Sequence, residues 1–118
     1  MDIHATDEVI FLSKQVMKDF SDLDSTTAQR FLTNLEMAAW GVELEISSQH
    51  LGGTVGAKAI ELRRNGRPAK RCVFVVERPG KVVILHAYKK ACDGVDKKNT
   101  DTAKGRYKQW LESRPVAD

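Results

Sequence analysis

Cysteine is scarce. Cys72 and Cys92 are the only two, too few for a disulfide framework, and neither has a Cys or His at metal-ligand spacing. A zinc module is therefore not expected. A paired Asp/Glu cluster able to bridge two ions is also missing, which argues against a two-metal nuclease, and no metal or other cofactor is expected. No apolar run approaches the roughly 18 residues of a transmembrane helix. The start Met1-Asp2-Ile3-His4 does not lead from basic residues into an apolar stretch, as a secretion signal would. The expected location is the cytoplasm, with no membrane partner. A chain of 118 residues can bury one core, so a single domain over 1–118 is expected.

What is abundant is segregated charge. Residues 1–57 carry three basic and nine acidic side chains, a balance of −6, whereas residues 58–108 carry fifteen basic and five acidic ones, a balance of +10. The net +3 hides this division. A basic half of this kind suits a polyanionic partner, through phosphate neutralisation and counterion release. The alternative is an ordinary solvated surface, since lysines usually face water.

Val9, Leu12, Val16, Phe20 and Leu23 recur at helical spacing behind Thr6 or Asp7 as cap, which predicts a helix over about 6–22. Asp24-Ser25-Thr26-Thr27 breaks the pattern and caps a second helix over about 25–40, with Phe31, Leu32 and Leu35 on its apolar side. A link this short predicts a helical hairpin. Residues 42–46 suit either strand or short helix. The period then changes, with strand-like runs over about 57–64, 70–77 and 81–88 separated by Asn65-Gly66-Arg67-Pro68 and Arg78-Pro79-Gly80. Such short connections require antiparallel neighbours. A last helix over about 96–113 contains Gly105, where close packing or a bend is expected because glycine costs about 1 kcal/mol in a helix interior. The expected fold class is α+β, with the helical hairpin packed on a small antiparallel sheet and the C-terminal helix covering part of the other face.

The end of the third run carries the chemistry. Val82 to Leu85 is apolar at both parities and so suits a central strand, and it ends in His86, Tyr88, Lys89 and Lys90. Alternation puts His86, Tyr88 and Lys90 on one side, with Leu85, Ala87 and Lys89 on the other. On the first run Ile60 and Leu62 share a face, with Glu61 and Arg63 opposite. Arg71 shares parity with Val73 and Val75, and it needs a partner there: Glu61 in an ion pair, or a phosphate met by its planar fork. Amine, guanidinium and phenol together can remove a proton, oppose charge on phosphorus and protonate a leaving oxygen. Those are the needs of RNA cleavage by its own 2′-hydroxyl.

Ala59-Ile60-Glu61-Leu62-Arg63, the Arg71-led strand through Glu77, Val83-Ile84-Leu85-His86-Ala87-Tyr88-Lys89-Lys90 and Ala103-Lys104-Gly105-Arg106 together resemble the phage-derived branch of the RelE/HigB toxin superfamily. The resemblance covers about residues 28–114 and implies a RelE-like fold and the toxin of a type II toxin–antitoxin system, acting as a ribosome-dependent mRNA endonuclease. It implies as partners a small helix-turn-helix antitoxin, the ribosome and mRNA. It matches Arg71 to the strand arginine that contacts the scissile phosphate, and Lys89 and Lys90 to the basic pair at the site. Together with the Tyr88 phenol these are the expected catalytic residues, and Arg63, Arg64, His86, Lys97, Lys98 and Arg106 are expected to bind nucleic acid. Tyr88 stands where the family has Phe, the loop 91–96 is one residue longer than the family pattern, and an N-terminal strand is reduced to 2–6. A ParE-like gyrase poison and a non-catalytic nucleic-acid-binding module on the same scaffold are the alternatives.

Overall fold

A computed structural model describes residues 9–90, 94 and 96–114. Its elements are β1 (Val9–Phe11), α1 (Lys14–Ser21), α2 (Ser25–Ala39), β2 (Ser48–His50), β3 (Ile60–Arg64), β4 (Lys70–Arg78), β5 (Lys81–Lys89) and α3 (Lys97–Ser113). The fold is α+β. One five-stranded sheet in the order β1-β5-β4-β3-β2 is antiparallel throughout except for β1, which runs parallel to β5.

Each helix begins where a side chain can satisfy the first free N–H groups. Ser13 Oγ accepts from Val16 N at 3.2 Å, Asp24 Oδ2 from Thr27 N at 3.0 Å, and Asp96 Oδ1 from Asn99 N at 3.2 Å. The alternating apolar residues of β3 to β5 then divide the core in two. Leu62, Cys72, Phe74, Val82, Ile84 and Ala87 meet Val16 and Phe20 of α1 and Phe31 and Leu35 of α2. Val73, Val75, Val83 and Leu85 meet Ala103, Tyr107 and Trp110 of α3. At the β4–β5 turn Gly80 has φ +83 and lies under the Trp40 ring, where an added Cβ would stand 2.7 Å from it. A side chain there would be strained by the positive φ and would push the Trp40 ring aside.

Several expectations meet a different outcome. The helix expected over 6–22 starts only at Lys14, because Val9–Phe11 pairs with Val82, Val83 and Ile84 of β5. Val9, Phe11 and Leu12 still reach the same core as Val16 and Phe20, so a strand followed by a helix satisfies the spacing that suggested one helix. The sheet is therefore mixed, not antiparallel, since the long connection from β1 to β5 permits parallel pairing. The expected hairpin of the two N-terminal helices is not confirmed: their apolar sides go to the strands, and each packs on the sheet more than on the other. Gly105, finally, faces open space. Thr6, Asp7, the strand over 2–6, Cys92 and the extra residue of the 91–96 loop fall, wholly or in part, outside the described residues.

A bulge in β5 re-aims its end. Val73 pairs with His86 but Phe74 with Ile84, so Leu85 has no opposite number. Leu85 and His86 consequently both face α3, while Ala87 returns to the α1/α2 side, which corrects the expected pairing of Leu85 with Ala87. Arg106 of α3 donates through Nη1 to the Leu85 carbonyl at 3.2 Å and satisfies the backbone where the ladder is interrupted.

Candidate functional site

The α3 face of the sheet is apolar only over part of its length. In register beyond the apolar cluster come Glu61, Val73 and His86, then Arg63, Arg71 and Tyr88. All of these except His86 border a cleft of about 370 Å³. Its other walls are Gln49 of β2, the loop residues Leu51, Thr54 and Val55, and Asp96, Asn99, Thr100 and Ala103 at the start of α3. The loop wall is fixed by its own chemistry: the Tyr107 hydroxyl accepts from Lys58 N at 3.1 Å, and Gly56 leaves the room that the Tyr107 ring occupies.

Glu61 is the hub. Its Oε1 lies 3.1 Å from Arg63 Nε and 3.7 Å from Arg71 Nε, and its Oε2 accepts from the Tyr88 hydroxyl at 3.1 Å. Arg63 also donates to Gln49 Oε1, and Arg71 Nη1 donates to the Lys70 carbonyl at 3.0 Å. The Glu61 and Arg71 side chains are only 8% and 9% exposed, so their charges are held together with little help from water. Burial, reinforced by the Glu61 charge, pushes the Tyr88 phenol well above the ordinary tyrosine range, and it keeps its proton.

Behind Tyr88 lies a second polar chain. The His86 ring stacks on Tyr88 with centroids 4.9 Å apart. Burial lowers the His86 pKa and favours the neutral ring. Asn99 Nδ2 donates to Asp96 Oδ2 at 3.0 Å, which leaves Asn99 Oδ1 to accept from His86 Nε2 at 2.7 Å. His86 Nδ1 then accepts from Arg106 Nη1 at 2.9 Å, and Arg106 pairs with Asp19 of α1 at 3.0 Å. The partners thus assign the proton to Nε2.

The cleft brings together Arg63, Arg71, Tyr88 and Lys90 from the expected set. Lys89 is not with them: it borders a separate recess with Asp19 and Asp22. Arg64 pairs in register with Lys70 and, beyond it, Lys89, one row past the cleft arginines. Lys97 and Lys98 are exposed in the first turn of α3, His86 is buried, and Arg106 is engaged with Asp19 and His86. Sequence reasoning treated Glu61 only as a partner of Arg71 and missed Gln49 and Asn99. The parity of Glu61 with Arg63 was the available signal; Gln49 sits in an all-exposed strand that has no apolar pattern.

Among the described residues, no group of three or more His, Cys, Asp or Glu side chains could hold a metal ion. Nor, among them, is any helix long and apolar enough to cross a membrane. Fold and cleft together define a small α+β protein with two guanidiniums, a phenol and an ammonium directed at one concave surface. The chain belongs to the phage-derived Gp49-like protein family (DUF891), whose model matches residues 18–108 and so spans every side chain of the cleft and every strand of the sheet except Val9–Phe11. That family is toxin-like. Comparison with curated proteins gives no match.

Proposed function

We propose that this protein is the toxin of a type II toxin–antitoxin pair, a RelE/HigB-like ribosome-dependent endonuclease that cuts mRNA in the cytoplasm and so inhibits translation. The observation that carries the reading is the convergence of Arg63, Arg71, Tyr88 and Lys90 on one cleft at the ends of three paired strands. Strand ends hold such groups with little freedom, which favours positioned chemistry.

In this reading the 2′-hydroxyl passes its proton to solvent water and attacks the adjacent phosphorus, with the Lys90 ammonium holding the oxygen as its negative charge develops. The Arg71 fork, with Arg63 beside it, opposes the extra charge on the phosphoryl oxygens. Tyr88, which keeps its proton, supplies it to the departing 5′-oxygen as the P–O bond breaks. Its hydroxyl hydrogen rests on Glu61 and can swing toward that oxygen by rotation about the C–O bond while the ring stays on His86. Lys89, Arg64, Lys97 and Lys98 lie outside the cleft and suit backbone phosphates. His86 and Arg106 support the ring and the bulge. The partner is an acidic segment of a small helix-turn-helix antitoxin, drawn to the basic half of the chain.

Induction of the chain alone in a bacterium should arrest growth, with mRNA cut within the ribosomal A site. DNA-damage signalling over intact mRNA would support the gyrase-poison reading instead. Normal growth with soluble, folded protein would leave a non-catalytic module.

A further inference from the structure

Three donors on three strands converge on one carboxylate, and that carboxylate stands inside a cleft suited to anions. A buried acid is an unexpected occupant there, since it repels the phosphate that the arginines attract. Its geometry suggests what it contributes. Arg63 and Arg71 are cross-strand partners in register, so their like charges face each other, and Glu61 is shared between them through one oxygen. Its other oxygen takes the Tyr88 hydrogen.

We infer that Glu61 is a positioning residue: its carboxylate holds the Arg63 and Arg71 guanidiniums and the Tyr88 hydroxyl around the seat of the scissile phosphate before RNA arrives. Long side chains normally lose rotamer freedom when they engage a ligand. Here Glu61 has already ordered them, and the incoming phosphate meets donors in place. The cost is repulsion in the bound state, so the residue favours the transition state, where negative charge on the phosphoryl oxygens grows and the arginine contacts strengthen, over simple binding. Asp96 lines the same cleft and caps α3 through Asn99.

The inference rests on the endonuclease reading, and its test separates binding from cutting. Glu61→Gln keeps the shape and removes the charge, while Glu61→Asp keeps the charge and withdraws it by one methylene. On programmed ribosomes, Glu61→Gln should bind severalfold more tightly and cut at least tenfold more slowly in single turnover. Glu61→Asp should bind as the wild type does and also cut at least tenfold more slowly. Either variant cutting at the wild-type rate overturns the inference. So does a parallel loss of binding and cutting with a lowered melting temperature, or misfolding of both variants, because each assigns Glu61 to the fold alone. If the wild-type chain itself cuts no mRNA, the endonuclease reading fails, and NMR order parameters of the Arg63 and Arg71 Nε–H groups decide this claim separately. They should fall in Glu61→Asp relative to wild type; unchanged values overturn it.

Discussion

The two faces of one sheet are built from the same strands and differ in what they tolerate. On the α1/α2 face, Leu62, Phe74 and Ile84 are fully buried in a hydrophobic cluster with Val16, Phe20, Phe31 and Leu35. On the α3 face, buried Glu61, Arg71 and His86 follow the apolar cluster along the same strands, each supplied with polar partners. The lesson is that alternation sets which face a side chain joins, but pairing sets whether a charge can stay there. The bulge at Leu85 adds to the second face what alternation alone would not: it turns His86 toward α3, where Asn99 and Arg106 can reach it.

Adjacent residues on β3 provide the strongest way to break this comparison. Leu62→Ala should remove about 2–5 kcal/mol of stability, through lost transfer energy and the cavity left behind. Its neighbour Arg63→Ala, on the cleft side and 34% exposed, should remove about 1 kcal/mol or less. Urea unfolding of the two variants measures both. Equal losses would mean that the cleft face is core in the same sense as its reverse.

Tyr88→Phe tests whether the buried hydroxyl serves chemistry more than the fold. Single-turnover cleavage should fall about a hundredfold, against a stability change of about 1 kcal/mol for the lost hydrogen bond to Glu61. Because burial raises the Tyr88 pKa, the phenol should contribute no alkaline fall in rate up to about pH 10, where an ordinary tyrosine is half ionised.

His86 sharpens the comparison through pH. Its folded pKa is depressed by burial, so the unfolded chain takes up the proton first. The stability associated with the neutral ring is full above about pH 6.5 and is lost as pH falls from there through the folded value. Thermal melting at pH 7.5 and 5.5 should therefore show a drop in the wild type and a smaller one in His86→Gln. Glu77, held low chiefly by its Lys81 hydrogen bond, loses its contribution only below about pH 4, outside that window.

The smallest effects belong to the exposed end of α3. Lys98→Ala should leave the melting temperature unchanged and reduce the salt dependence of RNA binding by roughly 0.7 of a counterion. Lys97→Ala should do the same to a lesser degree, since Lys97 is partly committed to Asp101 at 2.8 Å. Filter binding across a salt series measures the slopes.

Much of this arrangement could be read from local pattern. Runs rich in Val and Ile between Asn-Gly and Pro-Gly turns anticipated strands now seen at Ile60–Arg64, Lys70–Arg78 and Lys81–Lys89, and Asp24 and Asp96 anticipated two helix starts. The unread parts depend on partners distant in sequence. Ser48–His50 is exposed at every position and becomes a strand only because β3 offers it an edge. Val9–Phe11 fits a helical stripe equally well until β5 pairs with it. The cleft was read through its cations, because basic residues cluster visibly in the chain. Its carboxylate hub was not, because the significance of Glu61 lies in Arg63, Arg71 and Tyr88 meeting it from three strands.

The central claim, that the polar end of the α3 face is where RNA is cut, is tested most directly by Arg71→Ala on programmed ribosomes with a thermal melt beside it. Glu61 keeps Arg63 and Tyr88 as partners when Arg71 is removed, so the variant should remain folded with only a modest fall in melting temperature. Single-turnover cleavage should drop about a hundred- to a thousandfold, as for loss of a donor to charge developing in the transition state. A folded variant that cuts at the wild-type rate would contradict the account.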